Sequence, residues 1–340
     1  MNNIFSPIRF IFTAALCAVL LTACGGKNPI ATQETPAPVT LNLQWVTQAQ
    51  FAGYYVALDK GWYSEEGIDL TIRPGGPDIS AVDAVRTGSA EFGTSLLADV
   101  IVASQKANDL VSIAQIQQMN GLLLIAKKIS GINTPSDFVE KRVGVWLGSW
   151  EAQFNALMAK EGIGANDFTL IAQGFSMDTF INGELDVASA MIYNEYYMVL
   201  ESGIKPEEII IINYADYGLD FPGDVLFTST KIVQENPDLC VRMLRASLRG
   251  WQYAIENPEE AADIVLKYDK SGVQTREHQL SMMREIAKLV QVNLRPIGYT
   301  DRADVRRTID ALYSYKILNT QLNPDTVFNN SFWEQAQSQQ

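Results

Sequence analysis

Aromatic, amide and carboxylate side chains are concentrated in the turns that follow the predicted strands of this 340-residue chain. Aromatic faces stack on flat rings, and each such pair contributes roughly 0.5–1.5 kcal/mol beyond the area it buries. Amide, hydroxyl and carboxylate groups form hydrogen bonds with ring nitrogens and carbonyls. The candidates for a site that binds a flat polar heterocycle are Trp45, Gln50, Tyr54, Ser95, Trp146, Ser149, Trp150, Tyr193, Asn194 and Glu195.

Several of these candidates also have a purely structural explanation. Trp45 ends an alternating strand pattern and could belong to the core, whereas Trp150 also continues the apolar stripe of a predicted helix. Tyr54 has a register that could face either way. Ser95 could serve only as the N-cap of the next helix.

The chain contains no recognisable catalytic motif, and the sequence predicts that it is not an enzyme. A single histidine, His278, in a predicted surface helix gives no basis for a metal site or a functional role. Cys240 lies in a helical apolar pattern that predicts a buried structural thiol. No cofactor is predicted. The formal net charge of −13 argues against nucleic acid as a partner.

An internal repeat predicts two similar α/β units. Strands and helices alternate from Thr40 onward, which is typical of α/β folds. The segment that begins at Gly88 and the segment that begins at Gly183 match position by position, at an offset of 95 residues. In both cases the preceding elements come in the same order, namely a strand, a helix, a Glu-Gly-Ile turn, a second strand and a short helix.

Two buried-strand patterns predict that the chain crosses between these units twice. The first, Gly121 to Ala126, follows the first repeat, and the second, Asp224 to Thr228, follows the second repeat. Two crossings make a hinge that closes on a ligand. We therefore predict one lobe from residues 40–118 and 225–340, with C-terminal helices that begin at Asn-Pro signals. Residues 119–224 form the other predicted lobe.

The N-terminus predicts export and lipid anchoring. Residues 1–23 contain one basic residue, Arg9, followed by an apolar run and small residues, which is typical of a signal peptide. The sequence Leu21-Thr22-Ala23-Cys24 resembles the bacterial lipobox, in which Cys24 becomes the acylated first residue. Residues 24–39 are polar and contain prolines, which predicts a flexible tether. We therefore expect a lipid-anchored protein at the cell membrane, on its extracytoplasmic side.

The chain resembles the NMT1/THI5-like substrate-binding proteins of bacterial ABC importers. The resemblance extends from about Leu41 to Trp333, and its most specific segments are Phe51-Ala52-Gly53-Tyr54-Tyr55, Lys60-Gly61-Trp62-Tyr63 and Glu66-Gly67-Ile68-Asp69-Leu70. It implies an α/β, two-lobed periplasmic-binding-protein fold of type II, with the ligand between the lobes. It also implies an ABC permease and its ATPase as partners, and ligand contacts after the strand that ends at Ala190.

The resemblance leaves the ligand open, because members of the broader group bind riboflavin, thiamine pyrimidine precursors, sulfonates or nitrate. The abundance of aromatic and amide groups favours riboflavin, with formylaminopyrimidine or another thiamine pyrimidine precursor as the alternative. A sulfonate or nitrate is less favoured, because the predicted turns offer few basic residues. The eukaryotic namesakes synthesise the thiamine pyrimidine with a histidine and a cysteine-rich motif, whereas this chain has one histidine and, after Cys24, only Cys240.

Overall fold

The computed structural model describes residues 36–148, 150–290 and 293–338. Among these residues the strands are β1 (Ala37–Asn42), β2 (Ile68–Arg73), β3 (Phe92–Leu96), β4 (Leu110–Gln115), β5 (Leu122–Lys127), β6 (Arg142–Val145), β7 (Thr169–Ala172), β8 (Val187–Met191), β9 (Ile209–Asn213) and β10 (Asp224–Ser229). The predicted signal peptide, Cys24 and residues 24–35 of the predicted tether lie outside the described residues.

The α-helices lie between and after these strands. They are α1 (Ala52–Asp59), α2 (Trp62–Glu65), α3 (Ala81–Arg86), α4 (Leu97–Ala107), α5 (Ala152–Glu161), α6 (Asp178–Ile181), α7 (Glu195–Glu201), α8 (Thr230–Glu235), α9 (Pro237–Glu256), α10 (Pro258–Tyr268), α11 (Arg276–Val290), α12 (Arg302–Ser314) and α13 (Ser331–Ser338). Short 3-10 helices span Ala49–Phe51, Lys128–Ser130, Pro135–Phe138, Pro206–Glu208, Tyr214–Tyr217 and Pro324–Thr326. No helix in the described part of the chain is long and apolar enough to span a bilayer.

The strands form two five-stranded sheets with the same internal order, which confirms the predicted α/β class. The order is β2-β1-β3-β10-β4 in the first sheet and β7-β6-β8-β5-β9 in the second. In each sheet three parallel strands are followed by an antiparallel strand, β10 or β5, which is the first strand after the chain has crossed from the other sheet. The chain therefore crosses between the sheets twice. The predicted lobe boundaries beside these crossings remain a prediction.

The internal repeat is visible in the backbone. Gly88 and Gly183 have φ angles of +73° and +79°, a left-handed conformation that glycine adopts without steric cost. Each glycine precedes the third parallel strand of its sheet, β3 or β8. The same local sequence therefore makes the same turn in both halves.

The predicted tether, residues 24–39, ends too late. Ala37 to Val39 already belong to β1, where Ala37 pairs with Ile68 and Pro38 with Asp69 of β2. Pairing of β1 with β3 begins only at Leu41, so the missing N–H of Pro38 interrupts no ladder on that side. Proline is thus compatible with this end of the strand.

The long C-terminal helices pack against the first sheet and its helices. Asn236 caps α9 through its side chain, which accepts a hydrogen bond from the backbone N–H of Leu239. Helix α9 crosses α1 where Gly250 faces Gly53, and a Cβ on Gly250 would overlap the carbonyl oxygen of Gly53. These two glycines therefore allow the two helices to approach each other closely.

Candidate functional site

Three tryptophans, one beside the first sheet and two beside the second, meet where the strands of both sheets end. Trp45 follows β1, Trp146 follows β6, and Trp150 precedes α5. The Trp45 ring centroid lies 5.8 Å from that of Trp146 and 4.7 Å from that of Trp150. Phe175, after β7, lies 4.8 Å from Trp45 on another side. We call these four rings the aromatic cluster. The cluster connects the end of the first sheet to the end of the second.

The aromatic cluster leaves little space beside it. A cavity of about 20 Å³ remains, with room for about one water molecule. It is lined by Gln44, Gly76, Pro77, Ile79, Ala81, Val82, Ser95, Trp146, Leu147 and Trp150. The structure thus brings Ser95, Trp146 and Trp150 to one cavity. Because Ser95 belongs to β3 and Leu96 is the N-cap of α4, Ser95 does not cap that helix.

A buried carboxylate lies in a network of glutamines. Asp224, the first residue of β10, accepts hydrogen bonds of 2.8 Å from Gln44 and Gln50 and of 3.0 Å from Gln117. Burial raises the pKa of Asp224 to about 6, although the hydrogen bonds from Gln50 and Gln44 act in the opposite direction. The structure places Gln50, a predicted site residue, in this network.

Sequence reasoning missed Asp224, Gln44 and Gln117 as candidates. The signals available were a carboxylate that begins a buried strand and a glutamine-rich run, Gln115 to Gln118, that follows another strand. Gln44 Oε1 has no hydrogen-bond partner in the described part of the chain, although it is buried. A buried amide oxygen in that position is available to a donor on a ligand.

The predicted candidates Tyr193, Asn194 and Glu195 lie together after β8, where Asn194 and Glu195 form hydrogen bonds with neighbouring protein groups. Glu195 accepts hydrogen bonds from the Met191 N–H at 2.9 Å and from the Asn194 side chain at 2.6 Å. Burial raises the pKa of Glu195 to about 7. Tyr193 is buried close enough to Asp224 for that charge to contribute to the raised pKa of its hydroxyl.

The prediction that His278 lies on a surface helix is wrong. His278 is only 6% exposed, and its ring bonds Asn194 Oδ1 through Nε2 and Glu201 Oε1 through Nδ1, both at 2.9 Å. His278 lies on the same face of α11 as Met282, and α11 packs on α9, α10 and the 3-10 helix Ala49–Phe51. Asn194 and Glu201 lie at the two ends of α7. The imidazole therefore links α11 to α7, which the sequence pattern of α11 alone does not reveal.

Among the predicted candidates that the structure describes, Ser95, Trp146 and Trp150 line the small cavity, and the others do not. Tyr54 is buried inside the first lobe, where its ring lies 5.6 Å from that of Trp251. Burial raises the pKa of its hydroxyl well above the ordinary range. Ser149 lies outside the described residues, between Gly148 and Trp150.

The comparisons with known proteins agree with this architecture. The sequence profile of the family described as "NMT1/THI5 like" matches residues 48–261. The chain is 25% identical to the riboflavin-binding protein RibY of Chloroflexus aurantiacus, over 96% of this chain and 97% of that one. It is 26% identical to the formylaminopyrimidine-binding protein of Halalkalibacterium halodurans, over 76% and 78% of the two chains.

An enzyme and a solved structure are also similar. The 4-amino-5-hydroxymethyl-2-methylpyrimidine phosphate synthase of Legionella pneumophila is 29% identical over 67% of this chain and 72% of its own length. The crystal structure of the periplasmic nitrate-binding protein NrtA from Synechocystis PCC 6803 superposes with a TM-score of 0.70 at 14% identity, over 90% and 89% of the two chains. That likeness confirms the predicted two-lobed periplasmic-binding-protein fold.

Proposed function

This chain belongs to the NMT1/THI5-like family, and on that basis we propose that it captures a flat heteroaromatic vitamin, with riboflavin favoured, for an ABC importer. Its partners in this proposal are the small-molecule ligand, a membrane permease and the ATPase of that permease. The protein works on the extracytoplasmic side of the cell membrane, where acylated Cys24 anchors it. It binds and delivers its ligand and catalyses no reaction.

The observation that carries this proposal is the aromatic cluster between the two sheets. Its rings come from the ends of strands on both sides, which is where open α/β sheets bind ligands. In the closed form Trp45 packs on Trp146 and Trp150. A flat ring that enters between them replaces ring-to-ring contacts with ring-to-ligand contacts of the same kind. The relative named as riboflavin-binding aligns over nearly the whole chain.

The cavity volume of about 20 Å³ indicates how binding occurs. No heterocycle enters a space of that size, so the lobes must separate before the ligand binds. The two crossing strands permit such a hinge motion. The ligand then favours closure only by as much as it binds the closed form better than the open one.

The charges around the site support a neutral ligand over a sulfonate or nitrate. Asp224 contributes negative charge above a pKa of about 6, and Glu195 does so above about 7. No lysine or arginine lines the small cavity among the described residues. Arg86, on the neighbouring helix, is already paired with Asp109 through two hydrogen bonds of 2.6 and 3.0 Å.

A thiamine pyrimidine precursor is the second candidate. The relative named as formylaminopyrimidine-binding supports it. The alternative of a synthase receives less support from the residues themselves. Cys240 is buried, and both ring nitrogens of His278 are engaged by Asn194 and Glu201. Neither group is free to act on a substrate in this form.

The first test is a titration of the purified protein with riboflavin, after its absorbance spectrum has been recorded for bound flavin. We expect sub-micromolar binding, with quenching of both flavin and tryptophan fluorescence. Replacing Trp45 by alanine should weaken binding at least tenfold, because stacking and burial of the ring are both lost. Trp333→Phe is the matched control, since that ring packs on Tyr299, at 5.4 Å.

Two results would count against riboflavin. A folded protein that shows no bound flavin and a flat titration would exclude it, and formylaminopyrimidine and then sulfonates would be titrated next. Equal losses of affinity in Trp45→Ala and Trp333→Phe would show that the aromatic cluster is not the binding site. In that case the loss of riboflavin affinity in both variants would reflect a less stable protein.

A further inference from the structure

A second, larger cavity adjoins the small one beside the aromatic cluster. Its volume is about 460 Å³, within the range of about 300–1,000 Å³ that is typical of ligand pockets. It lies between α3 and α4 on one side and, on the other, Leu147, Gly148 and the first turn of α5. Pro77, Val82 and Leu147 line both cavities, so the two compartments are neighbours. We call the larger one the side cavity.

The side cavity is polar and carries an excess of negative charge. Its acidic and amide or hydroxyl groups are Asp78, Ser80, Asp83, Asp99, Glu151 and Asn155. Its basic groups are Arg86 and Lys106, and Arg86 already pairs with Asp109. The lining of the side cavity therefore suits a group of the ligand that donates hydrogen bonds, and it repels an anion.

Asp99 is the group that points to a ligand. It is only 7% exposed, it lines the side cavity, and its Oδ2 atom has no hydrogen-bond partner in the described part of the chain. Burial, with a further contribution from the charges of Glu151 and Asp224, raises the pKa of this carboxyl well above its usual range. Buried polar atoms normally have a partner, and one left without a partner destabilises the closed form.

We infer that the side cavity receives the hydroxyl-bearing chain of the ligand while the ring occupies the aromatic cluster, and that Asp99 selects for that chain. The inference rests on the proposed function and adds to it the part of the ligand that is recognised outside the ring. Hydroxyl groups both donate and accept, so a polyol chain can bond Asp99 on one wall and Asn155 on the other. A methyl group there would leave Asp99 unpaired. A site built for hydroxyls discriminates strongly against analogues that lack them.

The test compares two flavins that share one ring. Riboflavin carries a ribityl chain, whereas lumiflavin carries a methyl group at the same nitrogen. Dissociation constants for both are measured by flavin fluorescence quenching with the wild-type protein, Asp99→Ala, Asp99→Asn and Asn155→Ala. Asp69→Asn is the control, because Asp69 is an exposed aspartate of β2 that lines neither cavity.

We expect the wild-type protein to bind riboflavin at least tenfold more tightly than lumiflavin. Asp99→Ala should weaken riboflavin binding at least tenfold and change lumiflavin binding by less than about twofold. Asn155→Ala should show the same selectivity with a smaller loss. Asp99→Asn keeps the side-chain volume, so it preserves the comparison if the alanine variant does not fold.

Each other outcome overturns the inference. Equal affinities of the wild-type protein for the two flavins would show that the chain is not recognised, while the proposed function would stand. Equal losses for both flavins in the Asp99 variants would show that Asp99 supports the fold or the ring site. If the wild-type protein binds neither flavin, the assignment of riboflavin as the ligand and the inference both fail.

Discussion

Removing the His278 imidazole should open the two lobes. In the structure this side chain joins α11, which packs on α9 and α10 beside the first sheet, to α7, which follows β8 of the second sheet. Its partners there are Asn194 and Glu201. His278→Ala deletes both hydrogen bonds. It also leaves Asn194 Oδ1 without that partner whenever the lobes are closed.

The magnitude follows from the two bonds. The buried bond to Asn194 is worth about 1 kcal/mol, and the bond to Glu201, whose side chain is 51% exposed, contributes about 0.5–1 kcal/mol. A loss of about 1.5–2 kcal/mol shifts the ratio of closed to open protein roughly 10- to 30-fold toward the open form. Ligand affinity falls by up to the same factor, which is reached when the ligand-free protein is mostly open, because the apparent affinity scales with the fraction in the binding-competent form.

Small-angle scattering of the ligand-free protein measures the opening, and calorimetric titration measures the affinity. His278→Gln keeps one hydrogen-bond donor. Its effect on the closed-to-open free energy should therefore be about half of that of His278→Ala. Glu277→Gln changes the exposed neighbour on the same helix and should change nothing. A His278→Ala protein with the wild-type radius of gyration and wild-type affinity would refute the reasoning, because the imidazole would then not hold α11 to α7.

Two predictions concern stability. Because burial raises the pKa of Asp224 to about 6 and that of Glu195 to about 7, the folded protein retains protons that the unfolded chain has released. The free energy of unfolding should therefore fall as pH rises from about 4 to about 7. Urea titrations at pH 4.5 and 7.5 should differ by roughly 2–3 kcal/mol per carboxyl. A double variant, Asp224→Asn with Glu195→Gln, should lose this fall, and a fall of wild-type size in that variant would assign it to other groups. Gly250→Ala should destabilise the protein by about 1–3 kcal/mol or more, because the added methyl overlaps α1, whereas Gly174→Ala, which meets nothing within 4 Å, should leave the melting temperature unchanged. A melting temperature equal to that of the wild type for Gly250→Ala would show that α1 and α9 can move apart at little cost.

Much of the fold could be predicted because it depends on local signals that occur twice. The turns at Gly88 and Gly183 require the same left-handed backbone, and the strands after them follow at the same offset. By contrast, β4 and β9 were not predicted as separate strands. Each pairs only with an antiparallel crossing strand that comes from elsewhere in the sequence, so its place depends on a distant partner.

The site residues also fall into those signalled by the local sequence and those that depend on distant partners. Trp45, Trp146 and Trp150 could be predicted, since each follows a strand or precedes a helix with a clear pattern. The glutamine network around Asp224 could not, because its bonds join residues 174 and 180 positions apart. His278 was missed for a related reason: its partners lie 77 and 84 positions away on α7.

The place of β10 in the first sheet determines the order in which the chain can fold. β10 lies between β3 and β4, so those two strands are not neighbours, although they are close in sequence. The second sheet uses only residues 122–213 and can be completed as soon as that segment is available. During synthesis from the N-terminus, the first sheet therefore begins to form before the second sheet but is completed after it. Until residues 224–229 arrive, β3 and β4 have exposed edges that can pair with other chains.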